Sequence, residues 1–336
     1  MADPPKVAIL GAGSVGCFIG GCWQAASIPV SFIGRRAIQQ DIARHGLTVS
    51  DFSGWQAHLD RVDFITEPTA LRDADIIAVT VKSGATAEAA RAISEHGREG
   101  AAVVSFQNGI SNVDVLSREL GSRFDVARGM VPYNVAYLGQ GRFHKGVAGV
   151  LYAEDRPRTR ALSQAIGGGP AALELRNDML AVAWGKLLIN LNNAVNALSG
   201  RTLLEQLQER DYRRVVAASQ REGLRLLKSA GIEPAKVGAV GPQLLPAVIG
   251  SPDWLFNGVF LRKWKIDAKA RSSMADDLAA GRETEIDYIN GEFVALAHRL
   301  GVEAPISRKI VGLVREAEAG ADPLPPSALR KAILGR

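Results

Sequence analysis

The sequence predicts an α/β fold, in which an N-terminal Rossmann-type doubly wound sheet is followed by a C-terminal all-helical domain. Three observations predict it. Residues 7–23, VAILGAGSVGCFIGGCW, set a short apolar run, a Gly-x-Gly-x-x-Gly turn and helically spaced apolar residues in the order strand, turn, helix. Strand-like and helix-like segments then alternate through the first half, as a parallel sheet with crossover helices requires. From about Leu180 the strand patterns stop and long helical ones take over. The predicted division is 1–177 for the sheet domain, 178–322 for the helical domain and 323–336 for a loosely attached tail.

The elements of the first domain follow in order. The run 7–10 has the length of a buried strand, and the uncharged stretch that contains it suits neither a secretion signal nor a membrane span. Gly11 permits a tight turn, Gly13 lets backbone approach a pyrophosphate, and Gly16 lets helix pack on strand. The helix N-terminus presents free N–H groups and partial positive charge to phosphates, so Gly11, Ala12, Gly13, Ser14, Val15 and Gly16 are the candidate cofactor turn. Segments 29–36, 74–83 and 101–110 read as further strands, with a helix over 84–96. Two others, 46–60 and 141–154, carry turn residues without an intervening helix and are expected as antiparallel additions. Gly167, Gly168, Gly169 and Pro170 precede a last short strand before the boundary. Helices are expected over 179–198, 211–230, 268–280 and 285–300.

Composition narrows the function. A net charge of +5 over 336 residues, with no long basic run, speaks against a nucleic-acid groove and leaves room for a small anionic ligand. Cys17 and Cys22 lie five apart on one helix, pointing in different directions, and the five histidines form no i, i+4 pair, so neither a disulfide nor a metal site is expected. A reducing cytoplasm, with no membrane partner, fits this cysteine usage. At the end of the second strand, where NAD-binding chains place an acid for the ribose, stand Arg35 and Arg36, and no acid follows until Asp41. Two guanidiniums there suit a 2′-phosphate, which predicts NADP(H).

The helix at 179–198 is apolar nearly all round, yet Lys186, Asn190 and Asn193 stand at i, i+4 and i+7 on one stripe. A lysine on a largely buried helix must find a partner or lose its proton, which makes it a candidate acid–base group. Further on, Thr284 is placed to N-cap the helix at 285–300 with Asp287 at its third position, and Glu285 falls in the first turn.

These motifs together, GAGSVG, VTVKS, FQNG, the Lys-x-x-x-Asn of WGKLLIN and the long SSMADDLAAGRETEIDYINGEF, resemble the ketopantoate reductases along the whole chain and in the right order. The resemblance implies reduction of a small 2-oxo acid by NADPH, with Lys186 as proton donor and Glu285 lining the site against cofactor and substrate. It implies that Asn190 and Ser273 bind substrate, Ser273 through its carboxylate, and that Asn108, with Gly109 beside it, contacts cofactor and substrate. Lys82 matches the cofactor-proximal lysine, and Val135 a position whose backbone touches the nicotinamide side. A homodimer is the candidate assembly.

The chain departs from the pattern where substrate identity is decided. Ala194 stands where an asparagine is expected, no asparagine lies near Gly200, and Asn193 is the candidate replacement. Trp254, Phe256, Phe260 and Trp264 crowd the segment 250–270, which ordinary helix packing explains. Two alternatives follow: a paralogous reductase of another branched or aromatic 2-oxo acid, and an NADPH sensor without catalysis, which the presence of Lys186 disfavours.

Overall fold

A computed structural model of the chain describes residues 3–264 and 266–335, which divide into two compact units, Met1–Met179 and Leu180–Arg336. Lys265, in the aromatic segment, and Arg336, at the end of the expected tail, lie outside the described residues.

In the first unit the strands β1 (Val7–Leu10), β2 (Val30–Ile33), β5 (Asp63–Ile65), β6 (Ile76–Val79), β7 (Ala102–Ser105) and β8 (Asp125–Met130) form the parallel part of one sheet, with β3 (Leu47–Asp51) and β4 (Gln56–Leu59) elsewhere. The order β5-β2-β1-β6-β7-β8 reverses direction between β1 and β6, where a doubly wound sheet opens its ligand crevice. Alternation within each strand fills both faces. Val7, Ile9, Phe32 and Val104 pack under α1 (Ser14–Ala25) with Phe18 and Trp23, while Ala8, Leu10, Ile77 and Val103 meet α3 (Thr86–His96) and α4 (Ser111–Leu120). The short helix α2 (Arg36–His45) follows β2 directly.

The segment 46–60 forms the expected antiparallel hairpin, β3 with β4. The segment 141–154 does not form one of its own. Its first half, β10 (Arg142–Lys145), joins β3 and β9 (Val135–Tyr137) in a four-stranded sheet, whereas β11 (Leu151–Glu154) runs antiparallel to β8 and parallel to β12 (Leu173–Arg176). Lys145 ties these neighbours together. It is buried, donates through Nζ to the carbonyls of Gly149 and Pro170 at 2.7 and 2.8 Å, and lies 4.2 Å from the ring centre of Tyr133. Between β11 and β12 runs α5 (Pro157–Ile166).

The second unit is built around α6 (Met179–Ser199) and α8 (Arg210–Ser229), with the short α7 (Leu203–Gln208) between them. The sequence reading did not anticipate α7. It starts on a capping box in which Thr202 and Glu205 satisfy each other's backbone N–H groups. Trp184 on α6 packs 5.2 Å from Phe293 on α13 (Asn290–Arg299), and a Cβ on Gly223 of α8 would stand 2.8 Å from Phe293. Glu222 accepts the first N–H groups of α14 (Pro305–Glu318) from Ile306 and Ser307 at 2.9 and 2.7 Å.

The connection from α8 to α13 winds through α9 (Leu245–Ile249), α10 (Asp253–Leu255), a π-helical turn at Phe256–Phe260, α11 (Leu261–Trp264) and α12 (Ser273–Ala279). The aromatic residues here pack as expected: Phe256 is fully buried against Phe260 and Trp264, although Trp254 is 76% exposed. Arg213 secures this path from α8. Its guanidinium is completely buried, stacks on Phe256 at 4.4 Å, and donates to the carbonyls of Leu207, Gln208, Ile249 and Ser251 and to the Asp253 carboxylate.

The structure corrects two further expectations. The chain after 322 is not a loose tail: α15 (Pro326–Leu334) buries Leu329 and Ile333 and lies along α8. Two hydrogen bonds fasten its approach, Leu324 N–H donating to the Leu198 carbonyl and the Tyr212 hydroxyl donating to the Leu324 carbonyl, while the apolar stripe of α15 packs on α8. At the other place, Thr284 does not cap an α-helix. Residues 286–288 form a single 3-10 turn and α13 begins only at Asn290, so Glu285 sits on the turn before the helix. Among the described residues no single helix is long and apolar enough to cross a membrane, and no group of three or more His, Cys, Asp or Glu side chains is placed to hold a metal ion.

Candidate functional site

In the first unit the glycine turn occupies the crevice between β1 and β6. Gly11 adopts φ 99°, and a Cβ there would stand 2.5 Å from the backbone nitrogen of Val81, so both conformation and space demand glycine. A Cβ on Gly16 would meet Thr80 Oγ1 at 2.6 Å. Gly13, by contrast, faces open space, with nothing nearer than 3.9 Å to its Cβ position, and it caps α1 with no side-chain hydrogen bond. A phosphate-bearing group therefore fits: the backbone of Gly13 is approachable, and no acidic residue in the first turn of α1 opposes it.

Arg35 caps α2 and Arg36 begins it, both exposed, and both line a cleft with Leu10, Gly11, Gly34 and Glu67. Neither guanidinium has an acidic ion-pair partner among the described residues, so both are available to an anion at the end of β2.

Lys82 and Asn108 lie in the loops that follow β6 and β7, on the same edge of the sheet. Their loops are locked by a polar network that the sequence reading missed. Asn112 Nδ2 donates to the carbonyl of Asn108 and to Ser83 Oγ, Thr86 Oγ1 donates to Asn112 Oδ1 at 2.7 Å, and Ser83 Oγ donates to the Asn108 carbonyl at 3.1 Å. Gln107 Nε2 adds bonds to Val81 O and Thr86 Oγ1. The available signal was Asn112 one turn beyond Asn108, at the start of α4. Gly109 takes φ 89°, which turns the chain away behind Asn108. Val135 opens β9 half-buried, paired with Lys145 on β10.

In the second unit Lys186, Asn190 and Asn193 are half-buried on α6, while Ala183, Trp184, Leu187, Leu188 and Leu191 around them are buried. Gly185 beside the lysine allows the segment at Ala235 to lie on the helix: a Cβ would stand 2.1 Å from the Ala235 carbonyl, and Ala235 N–H bonds to the Ala181 carbonyl. Loss of solvation lowers the Lys186 ammonium to about 8, and the Glu285 carboxylate, acting in the opposite direction, moderates that fall. The helix stripe and the turn before α13 thus come together at one charge pair.

Glu285 is held by its surroundings. Its carbonyl accepts Tyr288 N–H at 3.0 Å, Thr284 N–H donates to Glu318, and Asp287 pairs with Arg315. The Tyr288 phenol is pushed up by burial first and then by the carboxylates of Asp287, Glu285 and Glu292. Ser273 is exposed as the first residue of α12. Ala194 is completely buried, so the position where an asparagine was expected faces the interior of the helical unit.

Comparison with known proteins agrees with both units. Residues 7–157 match the model of the ketopantoate reductase PanE/ApbA family, and residues 178–318 match the model of its C-terminal domain. A 2-dehydropantoate 2-reductase of Halobacterium salinarum is 26% identical over 322 residues, 93% of this chain and 99% of that protein. A PanE/ApbA family ketopantoate reductase of Ralstonia eutropha superposes with a TM-score of 0.78 at 28% identity, covering 94% of this chain and 98% of its own. D-mandelate dehydrogenase, solved with NADH and anilino(oxo)acetate, shares the fold with a TM-score of 0.76 at 20% identity, covering 94% and 98%.

Proposed function

The chain belongs to the ketopantoate reductase family of oxidoreductases acting on CH–OH groups, and from that premise we propose that it reduces 2-dehydropantoate to pantoate with NADPH, in pantothenate biosynthesis. The single observation that carries this reading is Lys186, lowered to about 8 beside Glu285 at the position of the family's proton donor.

When bound, the reduced nicotinamide supplies hydride to C2 of the 2-oxo acid. The carbonyl oxygen then needs a proton, and Lys186 Nζ provides it while its positive charge steadies the developing alkoxide; solvent restores the proton afterwards. An acid near 8 is still mostly protonated at neutral pH yet gives up its proton more readily than an ordinary lysine. Glu285 keeps the ammonium from losing its charge altogether. Asn190 and Asn108 orient the substrate, and Ser273 holds its carboxylate. Arg35 and Arg36 select the 2′-phosphate, and Lys82, Gly109 and the backbone of Val135 complete the cofactor contacts. The choice of NADPH rests on the two unpaired guanidiniums, since the fold itself also serves an NADH enzyme.

A second reading is favoured by one feature. The family pattern has an asparagine where this chain has Ala194, and the missing amide makes another branched or aromatic 2-oxo acid the alternative substrate. A panel of 2-oxo acids followed by NADPH absorbance decides: highest kcat/KM on 2-dehydropantoate supports the first reading, and highest kcat/KM on another acid supports the second. Absence of NADPH or NADH oxidation with every acid overturns both.

A further inference from the structure

Asn196 lies ten residues beyond Lys186 on α6 and is completely buried. Its Oδ1 accepts Ser272 N–H at 2.9 Å and its Nδ2 donates to the Arg201 carbonyl at 3.1 Å, so the two partners fix the orientation of the amide. Ser272, also buried, uses its hydroxyl twice: it donates to the Asn193 carbonyl at 3.1 Å and accepts Ala275 N–H at 3.2 Å as the cap of α12. Leu203 N–H adds a bond to the Ala270 carbonyl at 2.7 Å. The chain entering α12 is therefore fastened to α6 at residues 193 and 196, by a part-buried bond at 193 and by a fully buried one at 196, where no solvent competes. A leucine at 196 would leave the buried Ser272 N–H without a partner and take the amide donor from the part-buried Arg201 carbonyl, which explains an amide at this place in an apolar helix.

The residue after Ser272 is Ser273. We propose that Asn196 and Ser272 are positioning residues that set the Ser273 hydroxyl at a fixed distance from Lys186 and Asn190. This rests on the proposed function, which assigns Ser273 to the substrate carboxylate. In a 2-oxo acid the carboxylate and the reacting carbonyl are adjacent, so their two anchors must keep a constant separation for both to engage at once. Those anchors come from segments about 80 residues apart in the chain, and the Asn196–Ser272 pair is the link between them.

The test uses the full chain, with Asn196→Ala, Ser272→Ala and the conservative Ser272→Thr, on the best 2-oxo acid and on its carboxamide analogue. Each alanine variant removes two hydrogen bonds that hold the anchor segment, and should raise KM for the acid about ten-fold. NADPH affinity by fluorescence titration should not change, KM for the carboxamide should rise about two-fold or less, and Ser272→Thr should restore the parent KM. Amides of residues 270–275 should exchange with solvent faster in both alanine variants. If Asn196→Ala does not fold, Ser272→Ala carries the same measurements. Unchanged KM for the acid, an equal rise for acid and carboxamide, or unchanged exchange at 270–275 overturns the proposal. A parent protein that reduces no 2-oxo acid overturns the functional assignment, and the positioning role with it; an active parent whose folded variants keep their KM overturns the positioning role alone.

Discussion

The sheet unit presents its candidate ligand turn as backbone, and the helical unit presents its candidate chemistry as side chains. At Gly11 the φ of 99° and the Val81 nitrogen behind it leave no room for any side chain, so shape and fold are the same property there. At Lys186 the helix would form as well, or better, with an apolar residue, and the lysine is kept against the cost of its desolvation. The difference teaches that a backbone-built site cannot be altered without disturbing the fold, whereas a side-chain-built site can lose its chemistry and gain stability.

The largest effect is expected at Lys186. Lys186→Met should lower kcat by about 10² or more, the usual loss for a general acid, while NADPH affinity stays at the parent value. The sign for stability follows from the lowered ammonium. The folded state binds this proton more weakly than the unfolded chain, so between about 8 and the ordinary 10.5 stability rises with pH, and at pH 7 the charged lysine is a burden. The melting temperature of Lys186→Met at pH 7 should therefore equal or exceed that of the parent, and a marked fall would make the lysine structural.

Gly11→Ala should do the reverse and lose fold and binding together. Forcing an alanine to positive φ alone costs about 1–3 kcal/mol, and the clash with Val81 adds to it, so melting temperature and cofactor affinity should drop in parallel. A variant that melts normally but fails to bind NADPH would break the contrast between the two units.

Arg35 and Arg36 belong to the sheet unit but act through side chains, and they sharpen the comparison. Replacing both by alanine should cost about ten-fold or more in NADPH affinity, the scale of a lost charge-assisted contact, with little change for NADH or for melting temperature. Equal affinity of the parent for both cofactors would remove the basis for this assignment.

The smallest effect concerns pH. If protonated Lys186 is the acid, kcat should decline as pH rises through about 8. Glu285 raises the lysine's proton affinity, so Glu285→Gln should move that decline to lower pH, measured as a kcat–pH profile at saturating substrate. A profile that does not move would separate the two residues.

Much of this was legible in the residues themselves. Apolar runs and the glycine turn specify the doubly wound sheet because buried parallel strands need no polar alternation, and the period of 3.6 places Lys186, Asn190 and Asn193 on one stripe. What escaped depends on partners far away in sequence. Alternation marks 142–145 and 151–154 as strands but does not tell which sheet each joins. Residues 323–336 read as a loosely attached tail, and only the packing of α15 along α8 shows that Leu329 and Ile333 are buried. Thr284 and Asp287 have the residue types of a helix cap, yet the 3-10 turn at 286–288 takes their place. The nearness of Glu285 to Lys186 follows from helix packing across a hundred residues, and only the family resemblance hinted at it. Asn196 and Ser272 gave no signal at all, since a buried asparagine has no period and its partner lies 76 positions on.

The buried guanidinium of Arg213 has a consequence for how the helical unit comes apart. Its five hydrogen bonds end on the last carbonyls of α7, on the carbonyls around the end of α9 and on Asp253, so three stretches of chain share one cation. Releasing any one of them leaves the others facing a partly unsatisfied buried charge, which makes piecemeal fraying costly. A protease probing residues 245–256 should find them either wholly protected or wholly open, and cleavage there should follow a single opening event common to α7, α9 and the turn that carries Phe256.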